Sequence, residues 1–262
     1  MAAVLGATVD EKKEEKEYVM GLEKGLAIIE AFGISKGPLT LTHAAEITGH
    51  TKAAVRRSLL TLCKLGYAQQ DGRHFRLAPR SLRLGHAYVA SDALTKVAQP
   101  ILEMTSELTR ESASIAVLDS QDAVFVARST HRRSLSSGLG VGARLPAYCS
   151  ATGRVLLSEL PPADVEFMLN RMARPALTPH TCTDAREIMK QVALVRANGY
   201  ALSDQELEIG LRSIAVPIRN GRGELIAAMS LSVATSRMTR DQVVEELLPE
   251  METARRNFAS LL

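Results

Sequence analysis

Residues 41–77 read LTHAAEITGHTKAAVRRSLLTLCKLGYAQQDGRHFRL. A short helical pattern ends at Thr48-Gly49, a tight turn spans 49–51, and a longer helical pattern runs from Lys52 to Leu65. In that longer segment Val55, Leu59 and Leu62 fall at i, i+4 and i+7, and Leu65 extends the stripe. Lys52 and Arg56 are also four apart, with Arg57 beside them on a different face, so one side can pack while another offers cations. Thr51 or His50 can cap its start, and Gly66 stops it. Two short β-type runs then flank an Asp71-Gly72 turn, a strong hairpin signal. Helix, turn, helix and two-stranded wing is the layout of a winged helix-turn-helix, a DNA-binding unit.

The charge of this region agrees. Between Thr51 and Arg83 stand Lys52, Arg56, Arg57, Lys64, Arg73, Arg76, Arg80 and Arg83 against the single acid Asp71, while the whole chain is only +3. Phosphate binding needs local cations more than a basic protein. Lys52, Arg56 and Arg57 are the candidates for base contact, with Ala53 near a thymine methyl. Thr51, Arg73, His74 and Arg76 read as contacts to the DNA backbone.

At 262 residues the chain is long enough for two domains, each with its own core. Trp is absent, which disfavours stacking on single-stranded bases. Cys63, Cys149 and Cys182 are isolated, with no spacing for a disulfide framework or a zinc knuckle, so neither a metal nor a cofactor is expected. No apolar run is long enough to span a bilayer and no signal peptide stands at the start, so a cytosolic protein is expected.

Working outward, residues 1–17 form a charged tail, expected to be disordered. The winged unit is expected over 18–80, opened by an amphipathic helix at 22–32 (LEKGLAIIEAF) that Gly33 ends. A linker helix is expected at 81–92, and an effector domain over 93–262. A long helical pattern at 92–110 contains Pro100, which should end or kink it. Short β-type runs at 114–118 and 123–127 form a hairpin, and 134–141, rich in Ser and Gly, is a further strand candidate. Residues 146–157 turn into a helix that Ser150 or Thr152 can cap, leaving amide donors where an anion is easily held. A helix with Thr183 as cap, strands at 213–219 and 224–233, and a final helix from Thr239 complete the chain. The second half is therefore an antiparallel sheet with helices on its faces, and the fold class is two-domain α+β.

Against this background the chain resembles the IclR-type transcriptional regulators over nearly all of 18–262. The most telling run is GYALSDQELEIGLRSIAVPI at 199–218, where Gly199, Ser203, Glu206 and Ser213-Ile214-Ala215 match the effector-domain signature. GARLPAYCSATGRVLL at 142–157 and the opening helix match too. LTLT at 39–42, RRSLLTLCKLGY at 56–67, LRLGHAYVAS at 82–91, LPAY at 145–148 and LTPHT at 177–181 resemble the PcaR, PcaU and PobR branch of that family. The resemblance implies a GAF-like effector domain and a homodimer or tetramer that binds palindromic or repeated half-sites in double-stranded DNA. It also implies control, by activation, of protocatechuate, 4-hydroxybenzoate or β-ketoadipate catabolism genes. Carried over by position, an effector cleft would be lined by Leu145, Ala151, Thr152, Ser203, Leu211, Ser213, Ser230 and Ser232. A small organic or aromatic carboxylate would also want a cation, and Arg132, Arg133 and Arg144 are the candidates near in sequence. Two residues depart from the family: His43 replaces an acidic capping residue, and His50 stands where an apolar turn residue is usual.

Two other classes fit a chain of this kind: an α+β small-molecule enzyme and a winged-helix protein-interaction module. The sequence holds no GxSxG, HExxH or P-loop, its His residues are scattered, and no catalytic set is assigned.

Overall fold

The computed structural model describes residues 18–35, 37–131 and 139–262. It divides into two compact units, 1–87 and 88–262. The expected tail at 1–17 lies outside the described residues.

In the first unit, α1 (Met20–Ser35), α2 (Leu41–Thr48) and α3 (Lys52–Lys64) precede the wing strands β1 (Ala68–Asp71) and β2 (His74–Leu77). The α3 stripe of Val55, Leu59 and Leu62 meets Ile28, Ala31 and Phe32 of α1 and Ala44 of α2 in one buried cluster. Leu39 and Phe75 exchange both backbone hydrogen bonds (2.9 and 2.8 Å), which ties the wing to the chain entering α2. Gly33 does not stop α1, which continues to Ser35. Thr40 caps α2 by accepting from the His43 amide, and Thr51 caps α3 by accepting from the Ala54 amide. Gly49 closes α2 at φ 70°, a left-handed position suited to glycine.

A 3-10 turn (Pro79–Ser81) leads into α4 (Leu82–Ser91), within which the two units divide. The next helix, α5 (Ala93–Thr109), begins at an Asp92 cap and carries Pro100 within it without ending there. Six strands follow: β3 (Ser112–Asp119), β4 (Asp122–Ser129), β5 (Arg144–Pro146), β6 (Ala201–Asp204), β7 (Leu211–Arg219) and β8 (Leu225–Ala234). They make one antiparallel sheet in the order β5-β4-β3-β8-β7-β6. Period-two alternation assigns its faces. Ile214, Val216 and Ile218 of β7 join Met229, Leu231 and Val233 of β8 beneath α5 and the C-terminal helices, in the larger core. The opposite face is covered by α6 (Ala151–Ser158), whose Ala151, Val155 and Leu156 sit on Ala116, Ala123, Phe125, Ala215 and Ala228. Further out, α7 (Pro162–Arg171) and α8 (Ala185–Asn198) bury Val165, Leu169, Ile188 and Val192 around Tyr148 and Leu157.

The α+β architecture expected of the second half is present, with differences in detail. Strands β5 and β6 were not foreseen; both are edge strands, three and four residues long, too short to show a pattern in the sequence. The strand expected at 134–141 is not found in its described part, 139–141. Asp184, rather than Thr183, caps α8. The closing helix has three parts: α9 (Arg240–Gln242) under a complete Thr239–Gln242 capping box, a π-helical turn (Val243–Leu247), and α10 (Leu248–Leu261).

Candidate DNA-binding and effector sites

Burying the Val55–Leu59–Leu62 stripe leaves the other side of α3 in solvent, and Lys52, Ala53, Arg56 and Arg57 are all exposed. A cleft of about 250 Å³ lies between the start of α2, α3 and the wing. Arg56 and Arg73 both line it, with Thr40 and Thr42, so a candidate base reader and a candidate phosphate contact share one surface. Arg57 instead borders a groove of about 590 Å³ between α1 and α3. His74 and Arg76 are exposed on β2. The Thr51 hydroxyl accepts the Ala54 amide and keeps its own hydrogen for a phosphate oxygen.

One cation of the basic segment has a structural task. Arg80 donates to the Leu65 carbonyl (2.7 Å) at the end of α3, and its side chain packs over Gly66. The two unusual histidines are held through their backbones. The His43 amide donates to the Thr40 cap, and the His50 amide donates to the Thr48 hydroxyl (3.4 Å), which itself donates to the Ala44 carbonyl (2.7 Å). The side chain of Thr48 thus organises the polar turn.

In the second unit, strand register places the predicted effector residues. Ser112 of β3 stands opposite Ser232 of β8, Ser232 opposite Ser213 of β7, and Ser213 opposite Ser203 of β6. These four serines form one row across four strands. The next row is Ser114, Ser230, Ala215 and Ala201, and beyond it come Ala116, Ala228 and Pro217. Side chains directly opposite one another share a face, and Ala215 and Ala228 pack under α6. The face beneath α6 is therefore polar at one end and apolar at the other. The Ser213 and Ser232 hydroxyls are 3.1 Å apart, and Ser203 donates to the Cys149 carbonyl at 2.9 Å.

Above this face, α6 is held closely. Ser150 caps it, accepting the Gly153 amide (3.1 Å). Gly153 is required there, because a Cβ would lie 2.3 Å from the Ala147 Cα and 2.4 Å from its carbonyl oxygen. Thr152 is three and four residues before Val155 and Leu156, about one helical turn, so it shares their sheet-facing side. It is 2% exposed, and its hydroxyl has no hydrogen-bond partner among the described residues. Buried polar groups are normally paired. An orphan hydroxyl beside a helix N-terminus and a row of serines is what a small polar ligand would complete. The buried Nδ1 of His131, whose backbone amide donates to the Ser112 hydroxyl (3.1 Å), also has no partner among the described residues.

The structure brings together Thr152, Ser203, Ser213, Ser230 and Ser232, with Ala151, Leu145 and Leu211 at the apolar margins of the same face. It does not bring Arg144 there. Arg144 pairs with Val124, which pairs with Val117, so it projects from the opposite face. Its guanidinium is held by Asp119 (2.5 Å) and Asp122 (2.9 Å), which also raise its pKa, the Asp119 hydrogen bond most. Arg132 and Arg133 lie outside the described residues. A cation that sequence proximity overlooked does lie on the face: Arg128 of β4 stands opposite Ser114. It extends over the Phe125 ring (5.4 Å to the centroid) and donates to the Thr130 hydroxyl (3.3 Å). The signal was the Ser-x-Ser spacing, at 112–114 and again at 230–232, which marks the polar face of two strands.

A buried ion pair fixes α6 to the loop between β6 and β7. Arg154 donates to both carboxylate oxygens of Glu206 (2.5 and 2.7 Å), and Glu206 also accepts the Cys182 amide (3.0 Å). Outside it, along edge strand β6, runs a separate cavity of about 520 Å³ lined in part by Arg154, Gln191, Tyr200, Asp204 and Arg240.

Comparison with known proteins assigns this pairing of units. Residues 21–72 match the IclR helix-turn-helix domain, and residues 86–259 match the bacterial transcriptional regulator IclR C-terminal domain. The chain is 41% identical over 249 residues to the Pca regulon regulatory protein of Pseudomonas putida, covering 95% of this chain and 86% of that one. It is 37% identical over 257 residues to the p-hydroxybenzoate hydroxylase transcriptional activator of Acinetobacter baylyi, covering 96% and 95%. Among solved structures it is similar to a double mutant of the PobR inducer-binding domain from Acinetobacter in complex with 3-hydroxybenzoic acid. The two are 34% identical with a TM-score of 0.62, over 65% of this chain and all of that one. With a winged helix-turn-helix at one end and the matching effector-domain fold at the other, the chain belongs to the IclR family of bacterial transcriptional regulators.

Proposed function

We propose that the protein is an effector-responsive activator of genes for aromatic-acid catabolism, in the protocatechuate, 4-hydroxybenzoate or β-ketoadipate pathway. It would act in the cytoplasm as a homodimer or tetramer on paired half-sites. The observation that carries the effector half is the buried Thr152 hydroxyl between α6 and the serine row, which has no partner among the described residues. A carboxylate or a ring hydroxyl gives that group, and the Ser213–Ser232 pair, a partner, while the Ala and Phe125 end takes the apolar part of the ligand. The named relatives supply the chemical class, since two of them are regulators of Pca and p-hydroxybenzoate genes and a third holds 3-hydroxybenzoic acid.

Effector and operator are then coupled through the placement of two recognition helices, and each must shift the affinity of the other by the same factor. An electrophoretic shift on its own promoter fragments, with and without protocatechuate, 4-hydroxybenzoate or β-ketoadipate, tests both halves. A binding curve moved by one acid supports the reading, and a curve moved by none of them refutes the effector assignment. An enzymatic role is disfavoured by the relatives, which are transcriptional regulators along nearly the whole chain.

A further inference from the structure

We infer that the cavity along edge strand β6 is a second small-molecule site, separate from the serine face, and that it takes an uncharged alcohol. The inference goes beyond the effector reading and does not depend on it.

Three observations carry it. First, the cavity of about 520 Å³ has the size of a small-molecule site, and Thr152, Ser213, Ser230 and Ser232 are not among the residues that line it. Second, two buried polar atoms of its lining residues have no hydrogen-bond partner among the described residues: Nε of Arg154 on α6 and Oε1 of Gln191 on α8. Arg154 as a whole is 2% exposed. One atom is a donor and the other an acceptor, and buried polar groups are normally paired. Third, the charges of the inner wall are already matched. Glu206 accepts from both terminal nitrogens of Arg154, and Asp204 pairs with Arg212 at 2.9 Å. Arg240 and Asp241, which also line the cavity, are exposed and opposite in sign.

These features select the ligand. A carboxylate accepts from Arg154 but has no hydrogen for Gln191, and it would face the Glu206 carboxylate. An ammonium donates to Gln191 but cannot accept from Arg154. Hydroxyl groups serve both, the oxygen accepting from Nε and the hydrogen going to Oε1. Tyr200, Leu194 and Val244 supply apolar wall for the carbon frame. Phenols and saturated polyols share this chemistry. Arg154 follows Thr152 by two residues on α6, so an occupant here bears on the same helix that covers the serine face.

The test is calorimetric titration of the full-length protein with catechol and with myo-inositol, an aromatic and a saturated source of neighbouring hydroxyls, with and without excess 4-hydroxybenzoate. At least one alcohol should bind, and the tighter one names the source. Gln191→Leu, which keeps the size of the side chain without its acceptor, should weaken that binding at least about 5-fold, the low end for leaving a buried donor unpaired. Binding of neither alcohol would mean that water alone fills the cavity and overturns the inference. Binding unchanged by Gln191→Leu overturns it as well, and so does strict competition with 4-hydroxybenzoate, which would make the two sites one. A protein that binds an alcohol but not 4-hydroxybenzoate counts against the effector reading and leaves this inference standing. Should Gln191→Leu unfold, labelling of wild-type Cys182 decides, because Cys182 lines the same cavity. Bound alcohol should slow its alkylation by N-ethylmaleimide several-fold while Cys63, in the first unit, reacts as before; an unchanged Cys182 rate overturns the proposal.

Discussion

Replacing Glu206 by Ala should be among the most damaging single changes in the second unit. Glu206 and Arg154 are 7% and 2% exposed and share two charge-assisted hydrogen bonds of 2.5 and 2.7 Å. Without the carboxylate, the Arg154 guanidinium keeps, among the described residues, a long contact to the Leu202 carbonyl (3.5 Å), and its Nε has no partner among them even in the intact protein. The Cys182 amide loses its acceptor as well. Removing one partner of a buried pair leaves an uncompensated charge and costs about 3–5 kcal/mol. Replacing both partners by apolar residues of similar size should cost far less, because desolvation of the two charges offsets most of their attraction. Urea unfolding followed by circular dichroism on Glu206→Ala, Arg154→Met and Arg154→Met/Glu206→Leu measures this. A loss under about 1 kcal/mol for Glu206→Ala, or a double variant as unstable as the two singles summed, would falsify the account. The ion pair also has a positional task. Glu206 follows Gln205, which is held at φ 58°, and the Thr178 and Thr181 hydroxyls donate to the Gln205 and Glu206 carbonyls (2.7 and 2.6 Å). Glu206→Ala should therefore release α6 and weaken effector binding as well.

Gly153→Ala forces a methyl group into the Ala147 backbone and should cost roughly 1–3 kcal/mol or more; a thermal midpoint equal to wild type would mean that α6 can shift freely. On DNA, Arg56→Ala should lower specific operator affinity by about 1–3 kcal/mol with little effect on scrambled DNA, and Arg73→Ala should reduce the salt slope by about 1 on both. Arg80→Gln should leave that slope unchanged while lowering stability, because Arg80 caps α3; a reduced slope would move it to the DNA contacts. Burial pushes the Glu111 carboxyl up to about 7, against the opposing pull of Arg237. A folded pKa above the unfolded one favours the protonated acid, so its stabilising contribution is complete below pH 4.5 and is lost as pH rises through about 7. Relative to Glu111→Gln, the wild type should lose about 2–3 kcal/mol between pH 4.5 and pH 7.5, and parallel stability curves for the two proteins would contradict this.

The first unit was legible because its signals are local. The Val55–Leu59–Leu62 stripe, the Thr40 and Thr51 caps and the Asp71-Gly72 turn each act within a few residues of their partners. The effector face was legible only in part. Ser213, Ser230 and Ser232 could be placed by resemblance, but Ser112, Ser114 and Arg128 reach the site through the pairing of β3 with β8 and β4, and nothing near them in the chain announces that pairing. Arg144 misled for the same reason: nearness in sequence to Leu145 is, in a strand, assignment to the opposite face. Arg80 was counted with the local cations because its target, the Leu65 carbonyl 15 residues back in the chain, is not visible in the sequence.

The serine row has a consequence for how the protein is made. Its members come from two stretches of chain, Ser112 on one side and Ser203, Ser213 and Ser232 on the other, joined at the β3–β8 seam. During synthesis the first stretch waits for most of the second unit to emerge before it can pair, and a contact that distant in sequence forms late and slowly. An effector site built on this row would be complete only once the sheet has closed at that seam. Effector added during refolding should therefore slow unfolding without hastening folding, acting as a late-stage clamp on the seam.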